Sequence, residues 1–174
     1  SAGAWLDACG GGLPAAVLGK LAPYLLLFTA YLGGAILWTA VLRGNGIAGS
    51  VALLLLGGFA LFAACASIGL LLVGLTRNMG TALSLAGVSL GVALAFSGGT
   101  FPTTDGAQFA QVWSKLLPFT AYVKLQMQQV DMGSPWAVSL RQVGVLLVFV
   151  LVAGGLGLRL FGRAARDPQS WGQR

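Results

Sequence analysis

The chain has 174 residues, of which 57% are hydrophobic and only 8% are charged, and its formal net charge is +6. A soluble domain usually carries about 25% charged residues, so this composition excludes an ordinary water-soluble surface. The basic residues stand singly instead of forming a cluster, which argues against nucleic-acid binding. The uncharged intervals between Lys20, Arg43, Arg77 and Asp105 are each long enough for a membrane span of about 20 residues. The sequence therefore predicts an all-α, polytopic membrane protein embedded in a lipid bilayer.

The first 20 residues form a Gly-rich segment with too few apolar residues to span a membrane. We predict a short helical turn near Trp5, a break at the glycines of residues 10–12, and a helix that restarts with Pro14 in its first turn. Cys9 in this segment and Cys65 in an apolar run are too far apart in depth to predict a disulfide. Both are interpreted as small packing residues.

Four apolar stretches predict four transmembrane helices. They lie at about residues 21–42, 47–75, 80–97 and 143–158. Pro23 is expected in the first turn of the first span, where its missing N–H has no helical partner anyway. The second span is longer than a bilayer requires, so it either tilts or begins at the membrane interface. Residues 76–78 are expected to form the turn that closes it.

The segment between the third and fourth spans has the pattern of two short amphipathic helices. One apolar face of the first helix is formed by Phe109, Val112, Trp113, Leu116 and Leu117. In the second, weaker helix, one face is formed by Phe119, Tyr122, Val123, Met127 and Val130, and the polar face by Lys124, Gln128, Gln129 and Asp131. Each piece would be roughly 16 to 20 Å long, too short to cross a bilayer. We predict that residues 102–131 form an external re-entrant hairpin, which dips into the outer leaflet or lies on it.

The distribution of basic residues predicts the orientation. Four spans place both ends of the chain on one side of the membrane, and more basic residues fall on that side than on the other. Arg159, Arg163 and Arg166 follow the last span directly, where the positive-inside rule has most force. We therefore predict that both ends are cytoplasmic in a bacterial inner membrane, with residues 159–174 as a basic tail.

The sequence lacks the residues that several kinds of catalysis, metal binding and transport require. The chain has no His, and its four acidic residues, all Asp, lie outside the predicted spans. Imidazole catalysis and His-ligated metals are therefore excluded, and ion-coupled transport is disfavoured because it usually needs an ionisable group inside the membrane. The sequence also has no phosphate-binding G-x-x-x-x-G-K-[ST] motif. We expect that the chain is not an enzyme, that it binds no cofactor or metal itself, and that energy for any transport comes from another chain.

Small residues recur every four positions along the third predicted span. They are Gly87, Gly91, Ala95 and Gly99. This spacing lets helix backbones approach closely. The face could pack against a neighbour in the same bundle or against a second copy.

Three stretches together resemble a known family. They are residues 13–14 with 18–24, residues 66–72 with 76–78, and residues 96–102 with Trp113, residues 117–120 and Gly133. The first is similar to the cytoplasmic coupling helix of type-2 ABC transporter permeases and its entry into the third transmembrane helix. The second is similar to the inner end of their fourth helix, and the third to their external re-entrant hairpin. The likeness covers essentially the whole chain but only the C-terminal part of a family member, so we expect two further helices upstream.

The resemblance implies a half-transporter that pairs with a second permease copy or homologue and with cytoplasmic ATPase subunits, which hold the ATP and Mg²⁺. Residues 1–20 would dock in the ATPase as a coupling segment. The coupling residues would be Trp5, Leu6, Asp7, Leu13, Pro14, Gly19 and Lys20. Family members usually carry Glu before a Gly-[TS] pair, whereas here Ser1 and Ala2 precede Gly3, and Asp7 would take over its electrostatic role. Trp5 alternatively anchors the segment at the membrane surface.

The third span, equivalent to the family's fifth helix, would face its two-fold mate across the substrate path. For the hairpin we predict an external gate, with simple sealing of the bundle as the alternative. The gate residues would be Phe96, Phe101, Pro102, Trp113, Pro118 and Tyr122.

The predicted function is the permease subunit of an ATP-driven exporter that moves substrate out of the cytoplasm or the inner leaflet. The alternative is a membrane anchor or scaffold subunit that does not transport. The few polar residues in the spans favour a lipid-like or amphipathic cargo.

Overall fold

The computed structural model describes residues 12–42, 44, 46–95 and 117–165, and these residues form helices and turns with no strand. Helix α1 spans Leu13–Leu37 and continues through a π-helical turn at Trp38–Leu42. The other helices are α2 (Val51–Thr76), α3 (Met79–Ala95), α4 (Pro118–Val130) and α5 (Trp136–Ala165). The predicted all-α class is confirmed.

Three of these helices are long and apolar enough to cross a membrane. They cover Leu13–Leu42, Val51–Thr76 and Trp136–Ala164. They contain the first and last predicted spans and all of the second except residues 47–50, which precede the helix. The third predicted span coincides with α3, a helix of 17 residues that rises about 25 Å. Because the hydrocarbon core is roughly 30 Å thick, α3 by itself is at the short limit for a span, and the fourth crossing stays a prediction.

Helix α1 joins the predicted coupling segment to the predicted first span without a break. Gly12 is its N-cap and Pro14 lies in its first turn, as predicted. Pro23, however, lies inside the helix, so the expectation that it occupies a first turn is wrong. The reason is that the helix begins at Leu13, well before the apolar run. Pro23 therefore removes one interior backbone hydrogen bond, which the regular helix on both sides tolerates.

Helix α2 lies at the centre of the bundle and packs most extensively against α5, and also against α1, α4 and α3. At one end, which we name the terminal end, Leu13 approaches Gly162, and Gly74 approaches Phe161. At the opposite end, which we name the hairpin end, the Gly49 N–H donates to the Gln129 carbonyl over 2.8 Å. Helix α3 therefore begins at the terminal end, whereas α4 ends at the hairpin end.

The turn between α2 and α3 forms at residues 76–78, as predicted. Arg77 caps α2 in the left-handed conformation, with φ of 52°, and its N–H donates to the Val73 carbonyl. The Asn78 side-chain oxygen accepts from the N–H groups of Gly80 and Thr81, at 2.9 and 3.3 Å. Arg77 therefore ends α2, and Asn78 caps the start of α3, because its side chain occupies backbone donors that α3 cannot bond within itself.

Two seams hold the bundle together. In the first, Tyr122 and Leu125 of α4 lie in a core with residues of α2 and α5, where Gly57 leaves room for the Leu125 side chain. In the second, α2 and α5 approach backbone to backbone. A Cβ on Gly157 would lie 2.9 Å from the Leu71 backbone nitrogen, and one on Gly74 would lie 2.9 Å from that of Phe161. Small residues at these points allow the close approach of the helices.

Candidate functional site

The predicted coupling residues within the described chain lie together at the terminal end, in the first turns of α1. Leu13 is half-buried against Gly162, whereas Pro14 and Gly19 are exposed. Trp5, Leu6 and Asp7 lie outside the described residues. The sequence interpretation missed Leu18, which is 62% exposed on the same segment. Leu18 is thus an apolar side chain available to a docking partner, whereas the Leu13 side chain is partly covered by α5.

A groove of about 580 Å³ opens beside these residues, between α1, α2, α3 and the end of α5. Its walls are almost wholly apolar and include Leu21, Val73, Leu83 and Phe161, and Lys20 is the charged residue in its lining. An apolar chain would fit along such walls. The groove therefore suits the apolar part of an amphipathic ligand.

The small-residue face of α3 has no neighbour at the two positions where the structure describes it. Gly87 and Gly91 are exposed, and a Cβ built on either would meet nothing within 4 Å. No described residue packs against these two positions, and whether the face meets a helix of the same bundle or a second copy stays a prediction. Large apolar side chains beside them, such as Val88 and Leu90, are exposed as well. The side chain of Ala95 and the whole of Gly99 lie outside the described residues.

Two of the predicted gate residues are described, and both belong to the packed start of α4. Pro118 and Tyr122 are buried, and the Tyr122 ring lies against Gly57 and Gly58. Burial raises the pKa of Tyr122 to about 12. Core packing accounts for this placement, and a gate role for Tyr122 stays a prediction. Phe96, Phe101, Pro102 and Trp113 lie outside the described residues.

Gln129 is a buried polar residue that the sequence interpretation placed on the wrong face of α4. It was predicted on the polar face of α4, but it is 1% exposed and points into the bundle. Gln129 lies on the buried face of α4, because the buried residues Leu125 and Ala121 lie one and two helical turns before it. Helical phase, rather than residue type, was the signal that could have found it.

The Gln129 amide is fully bonded at the hairpin end. Its oxygen accepts from the Ser50 N–H at 2.7 Å, and its nitrogen donates to the Ser134 carbonyl at 3.0 Å and the Ser139 hydroxyl at 2.7 Å. The Ser139 hydroxyl in turn donates to Gln128 at 3.0 Å. One side chain thereby joins the start of α2, the end of α4 and the start of α5, which fixes their relative register.

The approach of these segments requires glycine at two positions. A Cβ on Gly49 would overlap the Gln129 side chain, and one on Gly133 would lie 3.1 Å from the Ala48 carbonyl oxygen. Gly133 also has a φ of 58°, which residues with a Cβ rarely adopt. The likeness of Gly133 to a glycine of the family's hairpin thus has a local physical reason.

A comparison with protein families gives one match, which covers residues 2–159 and is described as an ABC-2 family transporter protein. The chain belongs to this family. The resemblance drawn from the sequence is confirmed, and the chain is a membrane transport permease of the ABC-2 type. Permeases of this family generally work with an ATPase partner. No curated protein and no solved structure matches the chain.

Proposed function

We propose that the chain is the membrane-spanning permease subunit of an ATP-driven exporter, and that it moves substrate out of the cytoplasm or the inner leaflet. The observation that carries this proposal is the family match over residues 2–159. Hydrolysis would occur on a separate cytoplasmic ATPase, since the sequence has no phosphate-binding loop of its own. The permease would convert the movement of that ATPase into movement of its helices.

The placement of the helices supports α3 as a fourth crossing. Helix α3 begins at the terminal end, whereas α4 ends at the hairpin end. The chain must therefore pass from one end of the bundle to the other between them. The terminal end carries Lys20, Arg77, Arg159 and Arg163, so the positive-inside rule favours it as the cytoplasmic end.

The exposed face of α3 supports a second permease copy or homologue as the partner across the substrate path. Gly87 and Gly91 have open space beside them, and small residues in membrane helices are typical of close helix contacts. The apolar groove at the terminal end supports a lipid-like or amphipathic cargo, taken up from the inner leaflet. The fold thus offers an entry groove on one face of α3 and an unpartnered surface along the same helix.

Transport by the full-length protein with its ATPase in proteoliposomes tests the proposal. The double variant Gly87→Leu, Gly91→Leu should keep a folded, membrane-inserted protein, because a Cβ added at either position meets no described residue of a neighbouring helix within 4 Å. It should lose most cargo-stimulated ATP hydrolysis and export, because it blocks the approach of the partner. Gly155→Leu is the matched control, since Gly155 is also exposed on a helix with nothing within 4 Å. Unchanged export in the double variant would contradict the role of α3.

Docking of the ATPase at the terminal end is tested by Leu18→Asp. The variant should lose ATPase co-purification while the protein stays in the membrane, because Leu18 is exposed and supports no contact inside the bundle. Leu18→Met keeps the apolar surface and should bind normally. If the ATPase binds all variants and no cargo stimulates hydrolysis, the scaffold interpretation is favoured over export.

A further inference from the structure

A second, polar pocket of about 300 Å³ lies between the start of α4 and the second and third turns of α5. Its polar lining consists of Thr120 and Lys124 from α4 and Arg141 and Gln142 from α5. Leu117 supplies part of its apolar wall. The pocket is remote from the groove at the terminal end, and neither the family match nor the proposed export function assigns it a role.

The electrostatics of this pocket favour an anion. Lys124 and Arg141 come from different helices and converge on one cavity, and neither forms an ion pair with another described residue. Asp131 is the only acidic side chain among the described residues. It lies seven positions after Lys124, about 10 Å farther along the helix axis. Leu117, Thr120, Ala121 and Lys124 form one side of α4, so the cavity lies beside the first two turns of this helix.

Thr120 provides an independent observation in favour of a polar ligand. Its side-chain hydroxyl is buried and has no hydrogen-bond partner, although the residue is only 5% exposed. Elsewhere in the bundle, Thr29 and Ser67 donate to the carbonyl four residues earlier, at 2.7 and 2.8 Å. Thr120 lies in the first turn of α4, so the residue four positions earlier precedes the helix. A buried hydroxyl without a hydrogen-bond partner destabilises the folded state. This hydroxyl lines the same cavity as the cationic side chains of Lys124 and Arg141.

We propose that this pocket binds a phosphate group. The Arg141 guanidinium would donate to two phosphate oxygens, Lys124 would supply a second positive charge, and the Thr120 hydroxyl would donate to a third oxygen.

The depth of the pocket suits the phosphate of a lipid headgroup. Arg141 lies five residues after Trp136, where the last membrane helix begins, so it is about 8 Å along that helix. The polar headgroup layer on each side of a bilayer is several ångström thick. A free phosphate ion would use the same ligands, so the experiment separates the two sources.

The proposal is tested by native mass spectrometry of the full-length protein in detergent, with phosphatidylglycerol and the uncharged lipid diacylglycerol as probes. The native chain should retain phosphatidylglycerol and release diacylglycerol. The double variant Lys124→Ala, Arg141→Ala should lower the retained phosphatidylglycerol at least tenfold. The matched control is Arg159→Ala, Arg163→Ala, which removes two exposed cations from the other end of α5. An equal loss of retained phosphatidylglycerol in the control variant would show that the lipid is attracted to positive charge in general. That result would overturn the proposed site.

The variant Thr120→Val tests the hydroxyl without changing the shape of the side chain. It should lower phosphatidylglycerol retention several-fold, and in lipid-free detergent it should unfold at the same temperature as the native chain or a higher one, because it removes an unbonded polar atom. Undiminished lipid retention in Thr120→Val would overturn the assignment.

Competition with inorganic phosphate identifies the source of the group. If phosphate, but not chloride at equal ionic strength, displaces the lipid from the native chain and protects it against unfolding, the site binds free phosphate as well. If phosphate has no effect while phosphatidylglycerol binds through Thr120, the site is specific for the lipid headgroup. If neither probe depends on Lys124 and Arg141, the pocket is not a phosphate site.

Discussion

The α2–α5 seam and the face of α3 both carry small residues at helical spacing, yet they have opposite surroundings. Gly74 and Gly157 lie at backbone contacts, where an added Cβ would come within 3 Å of a neighbouring nitrogen. At Gly87 and Gly91, no described residue outside the local helix lies within 4 Å of an added Cβ. The same sequence pattern therefore serves internal packing in one place and leaves a surface open in another. Substitution at each type of glycine separates folding from assembly.

The largest effect is expected at the seam. Gly157→Leu should destabilise the protein by about 3 kcal/mol or more, because the side chain must displace the backbone of α2 near Leu71. Thermal unfolding in detergent measures this loss. Gly155→Leu should be neutral or slightly stabilising, since the position is open and Leu favours a helix more than Gly does. Equal unfolding temperatures for the two variants would break the distinction between the two kinds of glycine.

A smaller but still large loss is expected at the hairpin end. Gln129→Leu should cost on the order of 3 kcal/mol, because the Ser50 N–H and the Ser139 hydroxyl lose their bonds to the amide. Thermal unfolding checks this value, and Gln126→Leu, at an exposed position of the same helix, is the control. If Gln129→Leu were as stable as the control, the hydrogen bonds of the Gln129 amide would not be what sets the register of α2 against α5.

The cap between α2 and α3 should contribute about 1 kcal/mol. Asn78→Ala removes the side-chain oxygen that accepts from Gly80 and Thr81, so the start of α3 should fray. Hydrogen exchange of the amides in the first turn of α3 measures the fraying. Amides of α2 near Ser67 provide the internal reference and should be unchanged. If these amides were equally protected from hydrogen exchange in the variant and the native chain, Asn78 would not determine the start of α3.

The smallest effect on stability is expected on the α3 face, where a single cysteine reports assembly. In a background with Cys9 and Cys65 replaced by Ala, Gly91→Cys should unfold at the same temperature as the background. It should nevertheless form a disulfide-linked dimer in membranes under mild oxidation, because the open face would meet a second copy. Gly155→Cys, exposed on α5, should stay monomeric. Cross-linking at Gly155 but not at Gly91 would place the partner on the other side of the bundle.

The sequence located the helices well because the signals are local. Pro14 and the turn at residues 76–78 were placed correctly from the preferences of Pro, Gly and Asn for helix ends. Pro23 was placed wrongly because an apolar run marks the membrane and not the start of the helix. Leu18 was missed because its exposure depends on which side of α1 packs against the bundle.

The amino-acid sequence by itself determined the helical class, the membrane environment and the family, since these follow from composition, helix-end residues and short motifs. Only the tertiary structure decided that Gln129 is buried, that Gly157 packs while Gly91 does not, and that Thr120 shares a cavity with Lys124 and Arg141. The physical reason is that burial and convergence depend on how one helix is rotated against the next. Contacts between residues distant in the chain set that rotation, and local periodicity cannot report it.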